Sequence, residues 1–151
     1  MFLTVHSAVG LTIGQYVRNP LLAFLAGFIS HYIFDIIPHG DTKVPRQYLN
    51  LVYLALAGTI DLAVMISYLL LFMLFTNQPL SLSQIFAILG SLLPDGLQFV
   101  YYLFPRQKFL KKTQSIHNFF HELIAKKFEF SLVFGLIFQL IIFLILLTLN
   151  L

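Results

Sequence analysis

One short apolar segment of this chain carries two histidines and two aspartates. His31 and Asp35 are four residues apart, so on a helix their side chains point the same way, one turn apart. Pro38 ends that helix, and His39 and Asp41 follow in a turn that contains glycine. Such imidazole and carboxylate ligands suit Zn²⁺ above all, with Mn²⁺ or Fe²⁺ as alternatives. Because buried ionisable groups are costly unless they pair or bind a metal, this segment predicts a metal site.

The composition is that of an integral membrane protein. Of the 151 residues, 59% are hydrophobic and only 10% are charged, whereas a soluble domain carries about 25% charged residues. Cysteine is absent, which excludes disulfides and thiolate metal ligands. The metal is therefore expected to be bound by histidine and carboxylate side chains inside a membrane domain, and no nucleic-acid partner is expected.

Apolar runs and proline stops predict an all-α, polytopic membrane protein that forms a single domain over residues 1–151. The five predicted apolar helices are Leu3–Val17, Pro20–Ile37, Arg46–Phe75, Ser81–Phe104 and Phe130–Leu151. Between the fourth and the fifth, the basic segment Arg106–Glu129 predicts an amphipathic helix on the membrane surface. The first helix is short for a span, so a re-entrant helix is an alternative.

Basic residues are spread unevenly over the two sides of such a bundle. Arg18 lies on one side. The other eight lie in the second-to-third and fourth-to-fifth connections: Lys43, Arg46, Arg106, Lys108, Lys111, Lys112, Lys126 and Lys127. By the positive-inside rule the basic side faces the cytoplasm. The predicted location is thus the inner (cytoplasmic) membrane, with a multi-pass chain and the site on the cytoplasmic side.

Further ionisable side chains fall at one depth of the predicted bundle. With a rise of about 1.5 Å per residue and a core of about 30 Å, Asp61 and Asp95 lie about 8 and 9 Å inside the basic side. His6 is near the same end of the first helix, and small residues flank these positions, as they do where membrane helices pack closely. The surface helix adds His117 and His121. The predicted metal ligands are His6, His31, Asp35, His39, Asp41, Asp61, Asp95, His117 and His121.

Several of these residues also have a purely structural interpretation. An aspartate inside a membrane helix can hydrogen-bond a neighbouring helix, and His6 can be an interfacial residue near a chain end. His117 and His121 can be solvated on a surface helix. Glu122 is rotated from its neighbour His121 by about 100° on a helix, so it ranks below the two histidines as a ligand.

Four sequence elements resemble an integral membrane family of metal-dependent hydrolases, the LexA-regulated proteins of the inner membrane. That family is distantly similar to the zinc-dependent phospholipase C and P1 nuclease superfamily. The elements are Thr4–Gly10, Gly27–Asp35 with its tail Pro38–Asp41, Gly90–Asp95 and Ile116–His121. The resemblance implies a helical metal site that hydrolyses phosphate esters. The chain has Leu97 where many members have a second aspartate, and the order of the elements differs, so the number of ligands stays open.

The predicted function is that of a membrane-embedded, metal-dependent phosphoesterase resembling phospholipase C. It would act on a lipid or lipid-linked phosphate at the cytoplasmic interface, with membrane lipids as its partners. The predicted nucleophile is a metal-bound water, because a bound metal lowers the pKa of water towards about 7. Asp61 and Asp95 are the predicted catalytic side chains. The alternatives are a metal-ion transporter or non-catalytic metal-binding membrane protein, and a structural subunit whose polar residues join helices.

Overall fold

The computed structural model of the protein describes residues 1–40 and 51–150. These residues form helices only: α1 (Leu3–Tyr16), α2 (Pro20–Asp35), α3 (Leu51–Thr76), α4 (Leu82–Leu103), α5 (Lys108–Ala125) and α6 (Leu132–Asn150). The predicted all-α class is confirmed for this part of the chain. The predicted ligand Asp41 lies outside the described residues, as do Lys43 and Arg46.

Three of the described helices, α3, α4 and α6, are long and apolar enough to cross a membrane. They indicate a membrane protein, although within the described residues they are fewer than the five apolar helices that the sequence predicts. α1 has 14 residues and α2 has 16, which gives lengths of about 21 and 24 Å against a hydrocarbon core of about 30 Å. A new helix, α2, begins after Asn19. The Asn19 side chain accepts hydrogen bonds from the Leu21 and Leu22 amides, and Pro20 occupies the first helical position.

α4 is the central helix and packs against α1, α2 and α5. A Cβ atom at Gly90 of α4 would overlap the Phe24 carbonyl oxygen, and one at Gly27 of α2 would overlap the Ala87 carbonyl oxygen. The backbones of α2 and α4 therefore touch directly, as small residues allow in membranes. Gly14 of α1 meets α4 in the same way. These crossings hold α1 and α2 at fixed positions on α4.

The prediction that small residues mark packed faces fails on α3. A Cβ atom at Gly58 would have no neighbour within 4 Å, and Ala57 is exposed. α3 packs mainly on α1, further along the bundle, where Tyr68 and Phe72 join Ala8, Leu11 and Ile88 in a buried apolar cluster.

α5 has the amphipathic character that the sequence predicts. Leu110, Gln114 and His117 lie on its buried face, while Lys111 and Lys112 are exposed. The helix contacts both α4 and α2, so it lies across the side of the bundle where α2 ends.

Candidate metal centre

Asp35, at the end of α2, is the centre of the site and is 1% exposed. Its Oδ2 atom lies 3.0 Å from His31 Nε2 and 3.1 Å from His117 Nε2. Its Oδ1 atom lies 3.2 Å from His6 Nε2 and 2.7 Å from the amino nitrogen of Met1. One buried carboxylate thus gathers three histidines that come from α1, α2 and α5.

Asp35 and three side chains around it form what we call the first metal group: His31, Asp35, Asp95 and His117. Each offers one ligand atom, and these atoms all lie within 4.8 Å of one another. Asp95 Oδ1 is 3.8 Å from His31 Nε2 and 3.6 Å from His117 Nε2. Donor atoms about 2.0–2.2 Å from a tetrahedral zinc ion stand about 3.3–3.6 Å apart. The first metal group therefore needs only small adjustments to surround such an ion.

Asp35 also belongs to a second metal group, which it forms with His39 and His121. The three ligand atoms of that group again lie within 4.8 Å of one another, and the His39 and His121 rings meet edge to face with centroids 4.7 Å apart. A carboxylate has two oxygen atoms, so Asp35 can serve both groups. All five histidines of the chain are thereby assembled around Asp35.

One ring nitrogen of His31, Nδ1, is hydrogen-bonded to the main chain, which leaves the other, Nε2, as a possible metal ligand. Its Nδ1 lies 2.8 Å from the Ser91 carbonyl oxygen, which can only accept, so Nδ1 carries the proton in the neutral ring and Nε2 keeps its lone pair. His31 Nε2 is buried and makes no hydrogen bond within the described residues, although Asp35 Oδ2 is only 3.0 Å away. Two acceptor atoms facing each other at this distance fit a cation that binds both.

His39 is also hydrogen-bonded through Nδ1, which lies 2.6 Å from the Ile37 carbonyl oxygen. His117 Nδ1 is instead 3.1 Å from the side-chain amide nitrogen of Gln98 on α4. An amide can present either its nitrogen or its oxygen. With the oxygen turned to Nδ1–H, Gln98 would leave His117 Nε2 free to bind a metal. Gln98 was not singled out from the sequence, although it follows Asp95 by three residues on the same helix.

His6 lies beside the two metal groups and belongs to neither. It is fully buried, its ring stacks on that of His31 with centroids 4.1 Å apart, and its Nε2 contacts Asp35 Oδ1. Within the described residues its Nδ1 has no hydrogen-bond partner. The structure therefore places the predicted ligand His6 where it orients Asp35.

Asp61 is not brought to either metal group. Its carboxylate accepts hydrogen bonds from the Leu3 and Thr4 amides and from the Thr4 hydroxyl. These are the first residues of α1, whose free amides need acceptors and whose dipole favours a negative charge. Asp61 thus joins α3 to the start of α1, which matches the structural interpretation of a membrane aspartate.

The first metal group has one open side. The side chain of Asp95 is 17% exposed, that of His117 is 5% exposed, and those of His31 and Asp35 are fully buried. α5 covers the group through His117. The alternative interpretation, in which His117 and His121 are solvated on a surface helix, therefore does not hold for His117, which is buried. Glu122 pairs with Lys126 at 2.7 Å on the outer surface of α5.

Comparisons of the chain with protein-family models, with curated proteins and with solved structures gave no match. The resemblance of its sequence elements to membrane-bound metal-dependent hydrolases therefore stays a prediction. What the structure itself provides is a buried set of histidines and aspartates that could hold a metal ion.

Proposed function

We propose that this protein is a membrane-embedded, metal-dependent hydrolase that cleaves a phosphoester bond in a lipid or lipid-linked phosphate. The observation that carries the proposal is the first metal group, in which two imidazoles and two carboxylates from α2, α4 and α5 meet in a buried position. Such nitrogen and oxygen donors suit Zn²⁺, with Mn²⁺ or Fe²⁺ as alternatives. The sequence elements that resemble the membrane hydrolase family lie on the same helices.

The chain's own residues have distinct tasks in this proposal. A bound divalent ion would polarise the phosphoryl oxygens and lower the pKa of water towards about 7. In the neutral ring of His31 the Ser91 carbonyl keeps the proton on Nδ1, which leaves the lone pair of Nε2 for the ion. Asp95 is the ligand at the open side, where it can accept a proton from a water that approaches the phosphate.

The position of the opening supports an amphiphilic substrate. Asp95 precedes the end of α4 at Leu103 by eight residues, or about 12 Å along the helix. The covering helix α5 bears exposed lysines at Lys108, Lys111 and Lys112, which favour an anionic surface. A molecule with a phosphate near this interface and an apolar tail in the bilayer fits that geometry. By the positive-inside rule, we place this interface on the cytoplasmic side.

The test combines metal analysis with a substrate screen. Full-length protein purified in detergent is expected to contain a divalent metal and to hydrolyse at least one of a panel of phosphomonoesters and phosphodiesters that includes phosphatidic acid. Asp95→Asn should lower the rate at least about 100-fold, since it removes a proton acceptor, while the matched surface variant Glu122→Gln should keep the wild-type rate.

Two outcomes would contradict the proposal. Bound metal without hydrolysis of any phosphoester would indicate a non-catalytic metal-binding protein or a transporter. Absence of stoichiometric metal would indicate that the buried histidines and aspartates only join helices.

A further inference from the structure

Gln139 is a buried polar side chain in the apolar helix α6, and both ends of its amide are used next to the site. It is 3% exposed. Its Nε2 donates to the His39 carbonyl oxygen at 3.2 Å, and its Oε1 accepts from the Phe2 amide at 2.8 Å. A glutamine amide costs free energy inside a membrane helix unless its groups are hydrogen-bonded. Here the bonds fasten the main chain that carries one ligand of the second metal group.

The backbone of α6 touches the same place. Gly135 precedes Gln139 by four residues, so the two share a face of α6. A Cβ atom at Gly135 would overlap the His39 carbonyl oxygen, so α6 rests directly on the main chain of His39 and Gly40. Glu129, just before α6, accepts a hydrogen bond from the Gly40 amide at 2.8 Å.

The Pro38–Gly40 turn is thus held from the α6 side at its main chain. The His39 ring is tied separately, because Nδ1 lies 2.6 Å from the Ile37 carbonyl oxygen. With backbone and ring both fixed, Nε2 is the ring nitrogen left to face the other two members of the second metal group, Asp35 and His121.

We propose that Asp35, His39 and His121 bind a second divalent metal ion, and that Gln139 is the positioning residue that builds this second position through the main chain of His39. This inference deepens the proposed function, on which it rests for its chemical purpose: two cations sharing the Asp35 carboxylate would together neutralise a phosphate. The docking of α6 then determines whether the second position can be filled.

Two variants distinguish the proposed positioning role of Gln139 from a purely structural role in joining helices. Gln139→Glu keeps an acceptor for the Phe2 amide but loses the donor to the His39 carbonyl oxygen. The matched control is Asn150→Leu in the same helix. Asn150 is also buried, and its side chain bonds Thr12 and Tyr68, away from the metal groups. Loss of helix joining alone would affect both variants.

The experiment measures metal binding rather than activity. Full-length protein in detergent is stripped of metal and titrated with Zn²⁺, and bound zinc is counted after equilibrium dialysis. We expect two ions per chain in the wild-type protein and in Asn150→Leu. In Gln139→Glu the first ion should bind as before, while the affinity for the second should fall about 10–100-fold, the usual effect of losing an outer-shell partner.

Mn²⁺ loading gives an independent spectroscopic readout. Two manganese ions that share Asp35 should give a spin-coupled electron paramagnetic resonance signal, which Gln139→Glu should convert to that of a single ion. His121→Ala, on α5, should give the same single-ion signal. It replaces Gln139→Glu as the test of the second position if that variant does not fold, and Gly135→Ala then tests the link to α6.

The results separate this inference from the proposed function. Two zinc ions in Gln139→Glu with wild-type affinity would refute the role of Gln139, and one ion in the wild-type protein, unchanged by His121→Ala, would refute the second position. Either result is compatible with hydrolysis at the first metal group. Two ions with the expected variant pattern but no phosphoester hydrolysis would refute the proposed function alone.

Discussion

At the scale of single residues, the site depends on how the two oxygens of Asp35 are shared. Oδ2 faces His31 and His117, and Oδ1 faces His6 and the Met1 amino nitrogen. A buried carboxylate is stable only when its charge is compensated. Metal ions and imidazole N–H groups both do so. In the neutral His31 ring, whose Nδ1 donates to the Ser91 carbonyl, Nε2 is an acceptor 3.0 Å from Oδ2, which favours a metal on that side.

The sharing of Asp35 gives a prediction that distinguishes it from its neighbours. Asp35→Asn keeps the shape of the side chain but removes the charge common to both metal groups, so bound zinc should fall from two ions per chain to none at micromolar concentration. His31→Ala removes a ligand of the first metal group only and should leave one ion. Dialysis followed by elemental analysis checks both. Wild-type stoichiometry in both variants would show that the His31–Asp35 pair is structural.

What the sequence reveals at this scale follows from spacing within one helix. The four-residue separation of His31 and Asp35 places them on one face whatever the rest of the fold. Asp61 shows the limit of this approach. Its depth estimated from the sequence agrees with that of the site, but its side chain bonds the start of α1. Depth can be counted along a helix, but the neighbour across a helix face depends on packing.

At the scale of helices, the site depends on the direct contact of α2 with α4. His31 and Asp35 follow Gly27 on α2, and Asp95 follows Gly90 on α4, so the two glycine contacts lie one to two turns from the ligands. The sequence indicated these faces through their small residues. Fewer helices are long enough to span than the five apolar helices that the sequence predicts, because α1 and α2 have only 14 and 16 residues.

Glycine substitutions test this contact. Gly90→Ala would put its methyl group onto the Phe24 carbonyl oxygen, so we expect a loss of about 1–3 kcal/mol in stability and weaker zinc binding as α2 moves away from α4. Gly58→Ala is the matched control, since a methyl group there meets no atom within 4 Å and alanine favours a helix by about 0.5–1 kcal/mol. Thermal unfolding in detergent measures both. Equal stability of the two variants would contradict direct backbone contact.

At the scale of the whole molecule, the proposed orientation does not depend on all five apolar helices crossing the membrane. α3, α4 and α6 are long enough to span. The segment that precedes α3 and the α4–α6 connection lie on the same side if α3 and α4 both cross the membrane. Eight of the nine Lys and Arg residues belong to these two segments. The charge asymmetry on which the predicted orientation depends therefore does not require α1 or α2 to span.

This orientation can be tested on a background that is already free of cysteine. Lys111 is exposed on α5, and Gln78 is exposed in the connection between α3 and α4, so the two positions should lie on opposite sides of the membrane. In intact spheroplasts a membrane-impermeant maleimide should label Gln78→Cys directly, because the proposed orientation places that connection outside. It should label Lys111→Cys only after the membrane is opened, because the proposed orientation places the basic α5 on the cytoplasmic side. The reverse pattern would place the Asp95 opening on the outer side, and labelling of both positions from outside would show that α4 does not cross the membrane.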